Sequence, residues 1–140
     1  YKEKQTMPFY MTASPNVSSV YKPNMEFLKQ FPEHDRFHII EETTINVDAL
    51  DNVFKANNIN EADFIKVDTQ GSELSILQGA DEVICDHIFG AEIEVEFAPL
   101  YDGQPMFSDV DRHMKELGFH LFDIQKCYWK RSAGQNYHKK

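Results

Sequence analysis

Charged side chains lie on the two segments of this chain that look most like β-strands. Segment 63–73 carries Lys66, Asp68 and Glu73 around a glycine, and segment 91–97 carries a glutamate at every second position. Burying an ion costs several kcal/mol unless it is paired, so these charges are expected to be functional or matched to one another. Close carboxylates raise one another's pKa, whereas a nearby ammonium group lowers it. Such a group could accept a proton, bind a cation or hydrogen-bond hydroxyl and amine groups.

The alternation of side chains along a strand predicts which of these groups meet. Lys66 and Asp68 fall on one face of their strand, and Glu92, Glu94 and Glu96 share a face of theirs. If the two strands are parallel neighbours, Lys66 reaches Glu94 or Glu96, and Asp68 lies near Glu96 at the carboxyl ends. Open α/β sheets bind ligands in the crevice outside those ends, so the sequence predicts a site there.

Each of these residues also has a purely structural interpretation. Lys66 and Glu94 fit best as an ion pair that sets the strand register. Asp68 and Glu73 could simply cap helices, since the helix dipole favours a negative group in the first turn. Because Asp68, Glu73 and Glu96 are expected to face the crevice, we interpret these three as functional.

Other candidate residues carry weaker signals. Ser18 and Ser19 lie in a loop of small and polar residues, and Tyr101 lies in the loop after the acidic segment. Each could contact a ligand or belong to an ordinary turn. The six histidines include no HExxH motif, and only His34 and His38 are spaced as HxxxH, so no histidine metal site is expected. Cys85 and Cys127 are interpreted as two reduced, partly buried thiols.

Around these residues the pattern predicts alternating helices and strands. Strands are expected at 8–13, at 36–47 with a bend at 41–42, at 64–68, 91–97 and 120–124, and one more begins near 128–129. Helices are expected at 24–31, 48–58, 72–79, 81–88 and 108–117, with Asp48, Asp81 and Ser108 as N-caps. From Asp48 onward the alternation indicates right-handed crossover connections and a mainly parallel sheet.

Composition limits the class of protein. The 140 residues, 41% hydrophobic and 13% aromatic, fit a single globular domain. A formal charge of −9 argues against a nucleic-acid groove, which needs a basic face. No apolar run approaches the ~20 residues that span a bilayer, and no signal peptide is recognisable, so we expect no membrane contact and a cytoplasmic location. The start at Tyr1 and the polar end suggest a piece of a longer protein.

The run at 63–80, DFIKVDTQGSELSILQGA, resembles the FkbM-type methyltransferases, which use S-adenosylmethionine. The acidic segment 91–97, the segment around Ser18, Ser19 and Pro23, the stretch 44–51 and the elements at 108–124 are similar to the same family. The likeness spans nearly the whole chain. The family's cofactor-binding half opens with a glycine-rich turn and has an acidic residue after its second strand, and neither has a counterpart in residues 1–140.

The resemblance implies a fold of the α/β class. The expected architecture is a partial Rossmann-like methyltransferase sheet, mainly parallel, with flanking helices and an N-terminal strand-rich extension. Residues 1–140 would form a single domain, the C-terminal part of a methyltransferase domain without its N-terminal cofactor-binding half. Exposed sheet edges would then favour a homo-oligomer.

The implied reaction moves a methyl group from S-adenosylmethionine to a hydroxyl of a sugar or natural product, so a small-molecule or saccharide acceptor is the expected partner. Asp68 would lie where cofactor and acceptor meet, with Gln70 and Gly71 also at the cofactor. Glu96 or Glu73 would be the catalytic base or the hydroxyl anchor. The residues expected at the acceptor are Ser18, Ser19 and Tyr101. The rival interpretation is a non-catalytic interaction or oligomerisation domain whose acidic cluster binds a divalent cation or a basic partner.

Overall fold

The computed structural model describes residues 1–126, which form a mixed α/β structure. In chain order the elements are β1 (Gln5–Thr12), α1 (Met25–Leu28), β2 (Ile39–Val47), α2 (Leu50–Asn57), β3 (Phe64–Val67), α3 (Glu73–Leu77), α4 (Asp81–His87), β4 (Gly90–Ile93) and α5 (Phe107–Glu116). Short 3-10 turns lie at Pro15–Val17 and His34–Phe37. Within residues 1–126, no helix combines the length and the apolar composition needed to cross a membrane.

The N-terminal extension is an antiparallel ribbon of β1 and β2. Its register runs from Gln5 opposite Val47 to Thr12 opposite Ile39. Both strands were predicted, and the register slips between Met11 and Thr12. The expected bend at 41–42 therefore appears as an irregularity at Ile40, one position earlier.

Strands β3 and β4 form a parallel pair, with Lys66 opposite Glu92. This confirms that the two charged segments are parallel neighbours. The prediction that Lys66 reaches Glu94 or Glu96 is wrong, because its ammonium lies 2.8 Å from the Glu92 carboxylate. The register puts Glu92 directly across, and β4 ends at Ile93, before the other two glutamates. Both partners are 62% exposed, and such surface pairs contribute little stability.

Two apolar clusters hold these layers together. The larger lies between the parallel pair and helices α3, α4 and α5, and its buried members are Val67, Leu77, Ala80, Val83, Ile84, Ile88, Val110 and Met114. The smaller lies beside the ribbon and consists of Val17, Leu28, Phe37 and Tyr101. The expected mainly parallel sheet is thus, within residues 1–126, one parallel pair and one antiparallel pair.

The helices begin within two residues of their predicted starts, but the three predicted N-caps are wrong. α2 has Ala49 at its N-cap, and Asp48 accepts the N–H of Ala49 at 2.8 Å instead of an N–H inside the helix. α5 has Met106 at its N-cap, so Ser108 lies inside the helix. Asp109 accepts the N–H of Met106 at 3.0 Å and closes that end.

Helix α4 is capped from a distant part of the chain. Its N-cap is Ala80, so Asp81 is the first helical residue and not the cap. The carboxylate of Asp51, on α2, accepts the N–H of Val83 at 2.9 Å and that of Glu82 at 3.2 Å. Unpaired N–H groups at a helix start need such acceptors, and here tertiary packing supplies one.

The C-terminal part of the description departs most from prediction. Residues 120–124 form no strand, and Leu121 and Phe122 are exposed. Their apolar pattern had indicated a strand, but no neighbouring strand pairs with it in residues 1–126. Cys85 is exposed on α4 and not partly buried. The predictions for Cys127 and for a strand near 128–129 lie outside the described residues.

Candidate functional site

A tight bend follows strand β3. Gln70 and Gly71 both have positive φ, of 57° and 105°; L side chains rarely adopt the second value, so glycine suits that position. The bend is closed by Glu73, whose carboxylate accepts the N–H of Thr69 at 2.7 Å, the Thr69 hydroxyl at 3.0 Å and the N–H of Gly71 at 2.9 Å. Asp68 precedes the bend and is exposed.

Glu73 is 6% exposed, and both of its carboxylate oxygens are engaged inside the bend. Charge-assisted hydrogen bonds of this kind are the strong ones. The structure therefore uses Glu73 to hold the bend. Its charge also contributes, after burial, to a Glu96 pKa that is raised to about 7. The role of Glu73 as a catalytic base stays a prediction.

The carboxylates after β4 come close to the bend. The N–H of Glu94 donates to the carbonyl of Val67 at 2.8 Å, which brings Glu94 beside Asp68. Partial burial, then a hydrogen bond with Asp68 and its charge, raise the pKa of Glu94 to about 8, with further contributions from Glu96 and Glu73. Glu94 as a whole residue is exposed. A variant at Asp68 would remove the part of the pKa shift that comes from the crowding of carboxylates. We call Asp68, Glu73, Glu94 and Glu96 the acidic group.

The position predicted for Glu94 from the sequence is wrong. It had been interpreted as a register-setting partner of Lys66, whereas the described contacts join it to Asp68 and Gln70. Its position in the alternating acidic segment was the available signal. Asp68 was expected beside Glu96; its described contact is Glu94, and Glu96 acts on Glu94 through its charge.

The Gln70 amide links the acidic group to the protein interior. Its nitrogen donates to Glu94 at 2.7 Å and, over a longer 3.4 Å, to Asp68. Its side-chain oxygen accepts the Tyr101 hydroxyl at 3.1 Å. Its backbone carbonyl accepts the Ser19 hydroxyl at 2.6 Å. Gln70 is therefore held at both ends of its side chain and at its backbone.

Tyr101 lies in the core and not on an exposed loop. It is 0% exposed, its hydroxyl donates to the carbonyl of Val17 at 2.9 Å, and its N–H is accepted by Gln104 at 2.6 Å. Burial, followed by the charges of Glu96 and Glu94, raises the pKa of the phenol. Any contribution of Tyr101 to substrate binding would have to act through Gln70.

The two predicted serines have different positions. Ser19 is 1% exposed, and its hydroxyl accepts the N–H of Tyr21 at 3.0 Å while donating to Gln70. Ser18 accepts the N–H of Thr12 at 3.0 Å and lines a cavity. Ser19 stabilises the bend through its hydrogen bond to the Gln70 carbonyl, whereas Ser18 lines the same cavity as Asp68.

That cavity, which we call the ribbon cavity, lies between the β1–β2 ribbon and the bend and measures about 450 Å³. Small-molecule sites commonly span about 300–1,000 Å³. Its apolar lining comes mainly from Phe9, Val20, Ile45, Val47 and Ile76, and its polar lining is Asn16, Ser18, Asp68, Thr69, Gln70 and Ser72. It brings the predicted residues Ser18, Asp68 and Gln70 together, although Ser18 is far from the other two in the sequence.

Within residues 1–126, no three histidine, cysteine, aspartate or glutamate side chains converge in a way that could hold a metal ion.

A known protein family matches most of the chain. The model of a family described as the methyltransferase FkbM domain matches residues 6–121 of the 140-residue chain. Searches of the curated proteins and of the solved structures found no match.

Proposed function

The chain belongs to the methyltransferase FkbM domain family, which confirms the resemblance found in the sequence. On that premise, we propose that it transfers a methyl group from S-adenosylmethionine to a hydroxyl oxygen of a sugar or natural product. The supporting observation is the ribbon cavity, whose lining combines Asp68 of the acidic group and Gln70 with apolar side chains. The parallel pair with its flanking helices also supports a partial Rossmann-like sheet.

The residues at the cavity fit such a cofactor chemically. An exposed carboxylate at Asp68 and an amide at Gln70 suit a ligand that carries positive charge and hydroxyl groups. When bound, S-adenosylmethionine supplies an electrophilic methyl group. We assign Asp68, Gln70 and Gly71 to the cofactor side, with Asp68 at the meeting point with the acceptor.

The acceptor's hydroxyl needs orientation and a group that takes its proton. Positioning supplies much of the rate in a displacement of this type, and Ser18 and the apolar wall would provide it. A base works best with a pKa near the operating pH. Glu96, with a pKa raised to about 7 by burial and by Glu73, suits this task. Glu73 suits it less, because the bend engages both of its oxygens.

Calorimetry with S-adenosylhomocysteine tests this proposal. We expect binding heat that is lost in Asp68→Asn and kept in Asp86→Asn, a matched change at an exposed position on α4. Methyl transfer to a panel of glycosides and natural-product alcohols then identifies the acceptor class. No heat with S-adenosylhomocysteine would overturn the proposal. Ca²⁺ or Mg²⁺ binding that depends on Asp68 would then favour the non-catalytic alternative.

A further inference from the structure

We propose that Gln70 is a positioning residue that holds the Glu94 carboxyl beside Asp68 at the edge of the ribbon cavity, and that Tyr101 sets the direction of its amide. This inference rests on the proposed function, in which Asp68 lies where cofactor and acceptor meet. It adds a role for two residues whose side chains meet inside the protein.

The direction of the amide follows from its surroundings. Tyr101 is fully buried and burial raises the pKa of its phenol, so the hydroxyl keeps its proton and donates. Its single proton is shared between two acceptors, the Val17 carbonyl at 2.9 Å and the Gln70 side-chain oxygen at 3.1 Å. The amide nitrogen then faces Glu94 and Asp68. The reverse orientation would set the amide oxygen against two carboxyl groups, which are themselves acceptors when ionised.

The backbone conformation at position 70 does not by itself explain why the residue is a glutamine. Its φ of 57° is a left-handed conformation, which glycine and asparagine adopt more readily. That conformation is secured by the buried hydroxyl of Ser19, 2.6 Å from the Gln70 carbonyl. What glutamine adds is length, because its amide reaches both Tyr101 and Glu94.

The amide opposes the crowding of like charges around Glu94. The titratable groups that act on Glu94 are Asp68, Glu96 and Glu73, and Lys66 responds in turn to the charges of Asp68 and Glu94. A hydrogen bond donated to a carboxylate favours its ionised form. Removing the amide should therefore make Glu94 keep its proton to higher pH.

Carboxyl titration by ¹³C NMR tests this role in Gln70→Met and in Tyr101→Phe. We expect the pKa of Glu94 to rise by about one pH unit in Gln70→Met, the effect of losing a hydrogen bond to a charged group. A smaller rise is expected in Tyr101→Phe, where the amide loses its orienting partner.

Gln104→Met is the matched control. Gln104 is buried, whereas Gln70 is half-buried, and it also contacts Tyr101, at 2.6 Å from its N–H, but no described hydrogen bond joins it to the acidic group. This variant should lose stability without a shift of the titration. If Gln70→Met fails to fold, Tyr101→Phe decides, because it keeps the glutamine in place.

The outcome separates this inference from the proposed function. An unmoved titration in the folded variants overturns the inference, even if methyl transfer is observed. A shifted titration without any methyl transfer supports the positioning role and removes the proposed activity. Where transfer is measured, the acid limb of kcat/KM should shift with the titration, and a change in KM alone would contradict the inference.

Discussion

The substitution Glu73→Gln tests two roles of Glu73, the hydrogen bonds that stabilise the bend and the effect of its charge on Glu96. Glu73 is 6% exposed and accepts three hydrogen bonds, two from Thr69 on one oxygen and one from Gly71 on the other. Glutamine keeps the shape but has a single acceptor oxygen. Its amide nitrogen would then face an N–H group, so at least one donor in the bend loses its partner.

The expected cost follows from that count. A hydrogen bond to a charged group is worth about 1.5–3 kcal/mol, and the surviving bonds weaken because charge-assisted bonds are roughly twice as strong as neutral ones. We therefore expect Glu73→Gln to lower the free energy of unfolding by about 2–4 kcal/mol, a large fraction of the roughly 5–15 kcal/mol typical of a domain.

Urea denaturation measures this loss, with Glu116→Gln at an exposed position of α5 as the control expected within about 0.5 kcal/mol of the wild type. A second measurement follows the Glu96 carboxyl. The charge of Glu73 adds to burial in raising the Glu96 pKa to about 7, so neutralising Glu73 should lower that pKa. Wild-type stability in Glu73→Gln, or an unmoved Glu96 titration, would refute the assigned role.

Three further predictions concern single substitutions. Gly71→Ala should lower the free energy of unfolding by about 1–3 kcal/mol, measured by urea denaturation, because the φ of 105° at this position is unfavourable for alanine. Gly103→Ala, at a φ of 74° with open space around the added methyl group, should lower it by less. Ser19→Ala should lower the free energy of unfolding by about 2–3 kcal/mol, because the part-buried Gln70 carbonyl and Tyr21 N–H both lose their partner. Ser108→Ala, at an exposed position of α5, should be nearly neutral by melting temperature. Glu96 has a pKa of about 7 in the folded protein against an ordinary 4.5, so the folded state binds this proton more tightly and stability should fall as the pH rises from 4.5 to 7. In Glu96→Gln that part of the fall should disappear from the pH profile of unfolding, and an unchanged profile would contradict the shift.

Local sequence patterns predicted much of the framework. The helix from Glu73 and the strand from Phe64 lie where periodicity and turn residues indicated them. The parallel pairing was predicted from the alternation of elements, and the bend at Gly71 from the glycine after an apolar strand. Such signals are short in range, because backbone propensity and side-chain alternation act over a few residues.

Register and burial were decided by the tertiary structure. Lys66 meets Glu92 because β4 pairs with β3 in one register and ends before Glu94. Asp51 on α2 supplies the acceptor for α4 across the fold, which no local capping pattern predicts.

The sequence by itself determined which residues carry charge and where the chain turns, since both are properties of a few neighbouring residues. Only the tertiary structure decided that Ser19 would hold the bend at Gln70, 51 positions away, and that Tyr101 would be buried against Val17, 84 positions away. Contacts over such separations depend on the packing of whole elements, and that packing buries two side chains, Ser19 and Tyr101, whose part in ligand binding stays a prediction.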